Sequence, residues 1–254
     1  MQLLPLQQGI IYGPIKSRRL GLSLGINLMP VDYKLCSFNC VYCHYGFTDI
    51  HSIDLSENIS DLPKPEEVEK ALGNWLKRDR NINYITFSGN GEPTLHPDFN
   101  EIVDRVKKVR DKYVPGVQVA VLSNSTGLVL PQVKQALSKL DKVFMKLDCG
   151  TSKMFSKINR PTKKVIYEDL VENLKTLDGL IIQSVFVGGK ITNTDPDEVR
   201  EWIDKIIQID PLSVQIYSLD RPSASSDFEK VDRYILSKIA EEMQRLTGVE
   251  AEVF

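Results

Sequence analysis

Three cysteines lie on one short segment of the chain, Cys36-Ser37-Phe38-Asn39-Cys40-Val41-Tyr42-Cys43. Their spacing is C-x3-C-x2-C, and the chain has 4 cysteines in all. A four-iron, four-sulfur (4Fe-4S) cluster has four corners, and three thiolates would leave one iron free for an external ligand. The spacing therefore favours an iron-sulfur centre held by Cys36, Cys40 and Cys43.

Three other interpretations of these cysteines stay open on spacing alone. A Cys3His zinc site would use His44, which is adjacent to Cys43, whereas structural zinc ligands are usually separated by two or more residues. The run from Cys40 to His44 also matches the C-x-x-C-H pattern of covalent haem attachment, which leaves Cys36 without a role. A thioredoxin-like dithiol leaves Cys36 unexplained in the same way.

A second candidate motif is Ser88-Gly89-Asn90-Gly91-Glu92-Pro93-Thr94, directly after a predicted strand. Two glycines flanking one residue let the backbone approach a ligand closely, and Glu92 adds a carboxylate acceptor. An ordinary strand-to-helix loop, with Pro93 as a rigid turn, explains the same residues, because Gly-x-Gly alone is a weak signal.

The elements that must position these motifs alternate along the chain. Apolar periodicity predicts strands at 22–28, 82–87, 117–122, 143–147, 180–187 and 213–218. It predicts helices at 65–77, 99–109, 132–140, 167–177, 195–207 and 228–246, the last ending at Gly248. Six strand-helix units predict an α/β fold with a parallel sheet, either doubly wound or an incomplete barrel. In both, ligands bind at the carboxyl ends of the strands, where both motifs fall.

Length and composition bound the class of protein. The chain has 254 residues, 42% hydrophobic and 26% charged, with a net charge of -2. These values exclude a disordered chain, a coiled coil and a strongly basic nucleic-acid coat. We find no apolar run of the roughly 18 residues that a membrane span needs and no basic signal-peptide region, so we predict a cytoplasmic protein. We expect a single domain over 1–254, with 1–21 as an N-terminal extension and 22–254 as the six units.

Taken together, the cysteine loop, Tyr42 before its last cysteine, and Gly-Asn-Gly-Glu-Pro after the second strand resemble the signature of the radical SAM superfamily. That resemblance implies a partial (β/α)6 barrel with parallel strands. The segments Gly13-Pro14-Ile15-Lys16-Ser17-Arg18-Arg19-Leu20-Gly21 and Lys146-Leu147-Asp148 further resemble a small group labelled wyosine-synthase-related or iron-sulfur oxidoreductases.

The resemblance implies an enzyme with two cofactors, a 4Fe-4S cluster on Cys36, Cys40 and Cys43 and S-adenosyl-L-methionine (SAM) on its fourth iron. Reductive cleavage of SAM would give a 5'-deoxyadenosyl radical that abstracts hydrogen from the substrate. The implied partners are a reductant such as flavodoxin or ferredoxin and a small-molecule, nucleotide or tRNA substrate. The alternatives are an activase or maturase acting on a partner protein and a non-enzymatic metal-binding module.

Side chains at the strand ends are the candidates for contact with SAM and substrate. The predicted cofactor-binding residues are Tyr42, Asn90, Gly91, Glu92, Ser123, Asn124, Lys146, Asp148, Ser184 and Tyr217. Lys146 and Asp148 share one face of a strand, so they either contact SAM or form an internal ion pair. Cys149 is the candidate catalytic residue, with a small packed side chain as its plainer role. Candidates for contact with an anionic substrate are Arg18, Arg19, Arg160, Lys163 and Lys164.

Overall fold

One large sheet carries the fold, and the computed structural model describes residues 3–254. Within that range the strands are Ile11–Ser17 (β1), Gly21–Ile26 (β2), Leu35–Cys36 (β3), Ile50–His51 (β4), Tyr84–Phe87 (β5), Gln118–Ser123 (β6), Lys142–Lys146 (β7), Ile181–Val185 (β8), Val187–Gly189 (β9), Ser213–Tyr217 (β10), Phe228–Lys230 (β11) and Glu250–Val253 (β12). The large sheet has the order β1-β2-β5-β6-β7-β8-β10-β12, and β3-β4 and β9-β11 form two small sheets.

The centre of the large sheet consists of six parallel strands in chain order. β2 pairs with β5, β5 with β6, β6 with β7, β7 with β8, and β8 with β10. Parallel neighbours need a crossover connection, which is usually helical and right-handed. All six predicted strands are present, and the predicted α/β class, a partial (β/α)6 barrel with parallel strands, is confirmed.

The helices found within residues 3–254 follow the strands in sequence. They are Pro65–Leu76 (α1), Phe99–Tyr113 (α2), Pro131–Leu137 (α3), Ser152–Ile158 (α4), Tyr167–Leu174 (α5), Pro196–Ile209 (α6) and Arg233–Thr247 (α7). α1 begins at Pro65, whose ring presets the helical φ and whose missing N–H leaves no donor unpaired. Val68 and Leu72 of α1 are fully buried. None of these helices is both long and apolar enough to cross a membrane.

Two further strands extend the predicted six. β1 pairs antiparallel with β2, so part of the predicted N-terminal extension belongs to the sheet. At the opposite edge, β12 pairs parallel with β10. β12 was missed because it has only four residues, Glu250–Val253, in which two charged residues alternate with Ala and Val. Short alternation of this kind is a weak signal for a strand.

The last helix begins later than the sequence predicts. Residues 228–230 form β11, paired with β9, and α7 starts at Arg233. The Asp232 side chain accepts from the Tyr234 N–H at 2.7 Å, an N-cap contact that sets this start. The predicted end is confirmed, because Gly248 takes the left-handed conformation with φ 75°. The sequence also missed the short helix α4, Ser152–Ile158.

The turn between β1 and β2 folds into the curve of the large sheet. Leu20 in this turn is buried against Ala120, Phe144 and Ile181. These residues belong to β6, β7 and β8, three consecutive strands of the sheet. The neighbouring Arg18 forms an ion pair with Asp220, in the loop after β10. The turn therefore bridges the open side of the partial barrel, from β2 to β10.

Candidate active site

A cavity of about 720 Å³ lies inside the curve of the sheet. Ligand pockets commonly measure about 300–1,000 Å³. The predicted site residues that line it are Cys36, Cys40, Tyr42, Cys43, Gly91, Glu92, Ser123, Asn124, Lys146 and Tyr217. The predicted residues that do not line it are Asn90, Asp148, Cys149 and Ser184. The structure therefore brings most of the predicted residues to one cavity, although they come from distant parts of the chain.

The cysteine loop is held against the barrel by backbone contacts on both sides of its first cysteines. Leu35 forms a parallel bridge with Gly91, in the glycine motif after β5. Farther along the loop, the Val41 N–H donates to the Ile158 carbonyl at 3.0 Å. Both contacts are between backbones, so they fix the path of the loop and with it the positions of the thiols.

All three cysteines of the loop are free thiols, and side-chain amides approach two of them. Asn124 Nδ2 lies 3.6 Å from Cys36 Sγ, and Asn159 Nδ2 lies 3.7 Å from Cys40 Sγ. Burial raises the pKa of Cys36 to about 12 and that of Cys40 to about 11. Iron binding must therefore displace protons from these thiols. Hydrogen bonds to the sulfurs are one of the ways in which proteins tune iron-sulfur clusters.

Lys34 places a positive charge beside the three thiols. Its Nζ is buried and donates to the Gly46 carbonyl at 2.7 Å. Burial lowers the pKa of Lys34, but attraction to Cys43, Cys36 and Cys40 outweighs burial, and the net shift is upward. Three thiols, two amide donors and a cation suit a thiolate-ligated cluster with negative charge.

Within residues 3–254, no three His, Cys, Asp or Glu side chains are gathered closely enough to hold a single metal ion. A mononuclear site such as structural zinc needs its ligands around one centre. In a four-iron cluster each thiolate takes a separate corner, so the ligands stand farther apart.

Glu92 presents a buried carboxylate to the cavity. Its Oε1 accepts from Thr94 N at 3.0 Å, from Thr94 Oγ1 at 2.6 Å and from Ser123 Oγ at 2.8 Å. Among residues 3–254, its Oε2 accepts only from Asn124 N, at 2.6 Å. Burial raises the pKa of Glu92, and these hydrogen bonds oppose that rise. Oε2 therefore keeps acceptor capacity for a ligand, since each carboxylate oxygen can accept twice.

The glycine motif shapes the cysteine loop as well as the cavity wall. A Cβ on Gly91 would collide with the Leu35 carbonyl oxygen, because the two backbones touch there. The sequence predicted that a ligand approaches the backbone closely at Gly91. In the structure it is the backbone of Leu35 that does so. Asn90 is fully buried, and its Nδ2 donates to the carbonyls of Pro30 at 2.8 Å and Gln7 at 2.9 Å. Asn90 therefore joins loops instead of lining the cavity.

Asp148 lies behind the cavity wall, where four donors converge on its carboxylate. They are Lys146 Nζ at 2.8 Å, Val185 N at 2.9 Å, Asn159 Nδ2 at 2.7 Å and the Tyr42 hydroxyl. The Asp148 side chain is completely buried. A carboxylate with four protein donors is satisfied without a ligand, so direct contact between Asp148 and SAM is not what this geometry favours.

Lys146 connects that carboxylate to the cavity. Its Nζ donates to the Tyr217 hydroxyl at 2.6 Å. Burial lowers the pKa of Lys146, but attraction to Asp148 outweighs it, and the net shift is upward. Lys146 is therefore charged at neutral pH. Of the two alternatives for this pair, the structure shows the internal ion pair, in which Lys146 alone also reaches the cavity.

Ser184 and Cys149 sit at strand ends as predicted, but both side chains are buried away from the cavity. Ser184 Oγ donates to the Leu147 carbonyl at 2.5 Å. Cys149 is 1% exposed, and its thiol contacts Asn159 Oδ1 at 3.7 Å. Burial raises the pKa of Cys149 well above its usual value. This geometry gives Cys149 the packed role and not that of a reactive thiol, which needs exposure and a lowered pKa.

A row of hydroxyl groups, not predicted from the sequence, lies on the inner face of the first strands. Ser23 Oγ and Thr86 Oγ1 lie 2.7 Å apart, and the Tyr12 hydroxyl lies 2.6 Å from Ser88 Oγ. All four residues line the cavity. Thr86 and Ser88 alternate with apolar neighbours, the period of two expected of a strand with one lining face. That alternation was the available signal.

Positive charge is concentrated at the cavity. The basic residues lining it are Lys16, Arg18, Arg19, Lys34, Lys146 and Arg221, and the acidic ones are Glu92 and Asp220. The predicted anion contacts that do not line it are Arg160, Lys163 and Lys164. Burial lowers the pKa of His44, its contact with Pro222 opposes that shift, and the charges of Arg221 and Arg19 lower it further. The excess of basic over acidic residues is confined to the cavity, since the chain as a whole has a net charge of -2.

Comparison with known proteins decides the family. The model of the radical SAM superfamily matches residues 31–203, more than half of the chain. The chain belongs to the radical SAM superfamily. Enzymes of this superfamily use a 4Fe-4S cluster and SAM, so the predicted resemblance, enzyme class and cofactors are confirmed.

Relatives of this radical SAM protein match most of its length. A UPF0026 protein of Helicobacter pylori is 31% identical over 219 residues, which cover 85% of this chain and 68% of that protein. At that similarity the chain is also a member of the UPF0026 group. A protein named GTPase Obg from Brachyspira hyodysenteriae is 28% identical over 247 residues, 96% of this chain but only 35% of that protein. The chain thus spans about a third of this second relative.

Solved structures share the fold of this radical SAM protein. A radical SAM methyltransferase from Sphaerobacter thermophilus matches with a TM-score of 0.66. The match covers 91% of this chain and 65% of that one, at 14% sequence identity. Similarity at this level supports the barrel architecture and leaves the substrate to be argued from the site itself.

Proposed function

We propose that Cys36, Cys40 and Cys43 hold the cluster, and that SAM and a small substrate share the cavity beside them. One side chain carries this assignment. The Asn124 amide approaches Cys36 Sγ at 3.6 Å, while the Asn124 N–H donates to Glu92 Oε2 at 2.6 Å. Asn124 therefore links the cysteine loop to the carboxylate of the glycine motif. The cluster needs the cysteine loop, and the cationic amino group of a SAM molecule bound to that cluster needs a carboxylate nearby. Asn124 holds these two parts of the site side by side.

The cluster and SAM, when bound, supply a 5'-deoxyadenosyl radical that abstracts a hydrogen atom from the substrate. The residues of this chain bind and position. Glu92 would accept from the amino group of SAM, because Oε2 has only one donor among the described residues. Lys146 and Tyr217 would offer a charge and a hydroxyl to the remainder of the ligand.

The turn between β1 and β2 favours a small substrate over a partner protein. Leu20 packs inside the sheet, and the Arg18–Asp220 ion pair crosses the open side of the barrel. An extended peptide would have to enter through that side, so the activase alternative requires this ion pair to open. For the electron that radical SAM enzymes require, we propose a protein donor such as flavodoxin or ferredoxin.

Anaerobic reconstitution followed by treatment with dithionite and SAM tests the assignment. We expect about four irons per chain and formation of 5'-deoxyadenosine, measured by mass spectrometry. Cys36→Ala, Cys40→Ala and Cys43→Ala should each lose both the cluster and the product. Cys149→Ala is the matched control, since this fourth cysteine lies outside the cavity. Full iron content in any of the first three variants, or its loss in the control, would contradict the assignment.

A further inference from the structure

Three cations at the cavity have no acidic partner in the part of the chain that the structure describes. Arg18 pairs with Asp220, and Lys146 pairs with Asp148 at 2.8 Å. Lys34 lies beside the thiols. The basic residues that remain, for which residues 3–254 provide no ion pair, are Lys16, Arg19 and Arg221. Unpaired positive charge lining a cavity attracts an anionic ligand.

Arg19 is held in place by the protein and still has an unsatisfied donor. Its guanidinium lies 4.3 Å from the centroid of the Tyr217 ring. The Ser17 Oγ accepts from Arg19 N at 3.2 Å and from Leu20 N at 3.1 Å, which fixes the turn. Arg19 Nη1 is buried and finds no hydrogen-bond partner among the described residues. A buried, unpaired N–H on a charged group costs free energy that a bound oxyanion would recover.

Arg19, whose guanidinium lies on the Tyr217 ring, is across the sheet from Glu92. Glu92 follows β5, whereas Tyr217 ends β10, and three strands lie between those two in the sheet. A ligand group bound by Glu92 and one bound by Arg19 therefore belong to opposite walls of the cavity. SAM carries one carboxylate, and three unpaired cations exceed what a single carboxylate needs.

We propose that the substrate is a small molecule bearing an oxyanion, either a phosphate ester or a carboxylate, bound by Arg19 with support from Lys16 and Arg221. The assignment rests on the proposed function, because it places that substrate in the SAM cavity. The planar fork of arginine matches both oxyanions with two parallel hydrogen bonds. A small substrate suits a cavity of about 720 Å³. The net charge of -2 is unlike the strongly basic domains that bind nucleic acid.

Isothermal titration with inorganic pyrophosphate and with citrate tests this site, on reconstituted protein with SAM and on protein without cluster. We expect one binding site per chain for at least one probe. Arg19→Gln and Arg221→Gln should each weaken that binding about tenfold or more, since each loses a charged donor. Arg245→Gln is the matched control, an exposed cation on α7 away from the cavity. Tighter binding of pyrophosphate indicates a phosphate ester, and tighter binding of citrate indicates a carboxylate.

Two results would overturn the anion site. One is the absence of binding for both probes, or unchanged affinity in both variants, whose folding is checked by circular dichroism. The other is displacement of the probes by SAM, which would assign the cations to the carboxylate of SAM. Iron content and 5'-deoxyadenosine formation are measured on the same samples. If the wild-type protein binds the anion but holds no cluster and forms no 5'-deoxyadenosine, the proposed function is contradicted and the anion site is still supported.

Discussion

The Tyr42 hydroxyl donates to the Asp148 carboxylate, across 106 positions of the chain. Asn159 Nδ2 contacts both groups, at 3.1 Å from the Tyr42 oxygen and 2.7 Å from Asp148 Oδ2. Burial and the Asp148 charge raise the pKa of Tyr42 well above its usual value, so the hydroxyl keeps its proton. Because Tyr42 lies between two of the cysteines, this contact ties the cysteine loop to the end of β7.

Asp148→Asn should destabilise the protein and lower its iron content together. An amide puts an NH2 donor among four donors and leaves Lys146 charged without its partner. Removing one member of a buried ion pair costs about 3–5 kcal/mol. The loss is measured as the free energy of unfolding in urea, and iron is counted after anaerobic reconstitution.

The control for this change is Glu241→Gln, which removes the carboxylate of the exposed Lys238–Glu241 pair on α7. Exposed pairs contribute little, so its unfolding curve should stay close to that of the wild type. Normal stability and iron content in Asp148→Asn, with 5'-deoxyadenosine formation abolished, would instead make Asp148 a catalytic residue.

Gly91→Ala should reduce iron loading as well as SAM binding. The added Cβ would push against the Leu35 carbonyl, and Leu35 directly precedes Cys36. The sequence alone predicts a different result for Gly91→Val, weaker SAM binding with an intact cluster. Gly73→Ala is the matched control, since nothing lies within 4 Å of its Cβ and alanine favours a helix such as α1. The measurement is the number of irons per chain after reconstitution. A full iron content in Gly91→Ala would show that the cysteine loop tolerates the displacement of Leu35.

Cys149→Ala should leave iron content and 5'-deoxyadenosine formation unchanged. The thiol is 1% exposed and does not line the cavity. We expect a loss of about 1 kcal/mol in the free energy of unfolding, because a small buried side chain is shortened. Loss of substrate turnover with a normal cluster would restore the role of Cys149 as a reactant.

His96 should make the protein less stable as the pH falls below neutrality. Its Nδ1 accepts from Asp98 N at 3.1 Å, so Nε2 carries the proton and donates to the Pro63 carbonyl at 3.0 Å. Burial lowers the pKa of His96 in the folded protein. The unfolded chain, with a pKa of about 6.5, binds the proton first. The contribution of neutral His96 to the free energy of unfolding is therefore complete above about pH 6.5. It declines as the pH falls toward the folded-state pKa.

Melting temperatures of the wild type and His96→Gln between about pH 7 and 5 check this linkage. Glutamine keeps a donor for Pro63 but does not titrate, so its profile should be flatter. The pKa of His44 is lowered too, mainly by burial, and combining His44→Gln with His96→Gln should flatten the profile further. A slope in His96→Gln as steep as in the wild type would rule out this source of pH dependence.

The sequence by itself determined the cysteine loop, the six parallel strands and Glu92 as a candidate site residue. Each is a local property. C-x3-C-x2-C places three thiols on one loop whatever surrounds it, and apolar periodicity marks strands and helices over a few residues. Parallel order then brings the strand ends, and the motifs that follow them, to one side of the sheet.

Only the tertiary structure decided which strand-end side chains reach the cavity and which are buried behind it. Asp148 and Lys146 share a strand face, yet only Lys146 lines the cavity, because donors from Tyr42, Asn159 and Val185 enclose the carboxylate. Likewise the place of the β1–β2 turn depends on contacts with β6, β7, β8 and the loop after β10. Such partners are distant in the chain, and local spacing carries no information about which distant groups meet once the sheet curves.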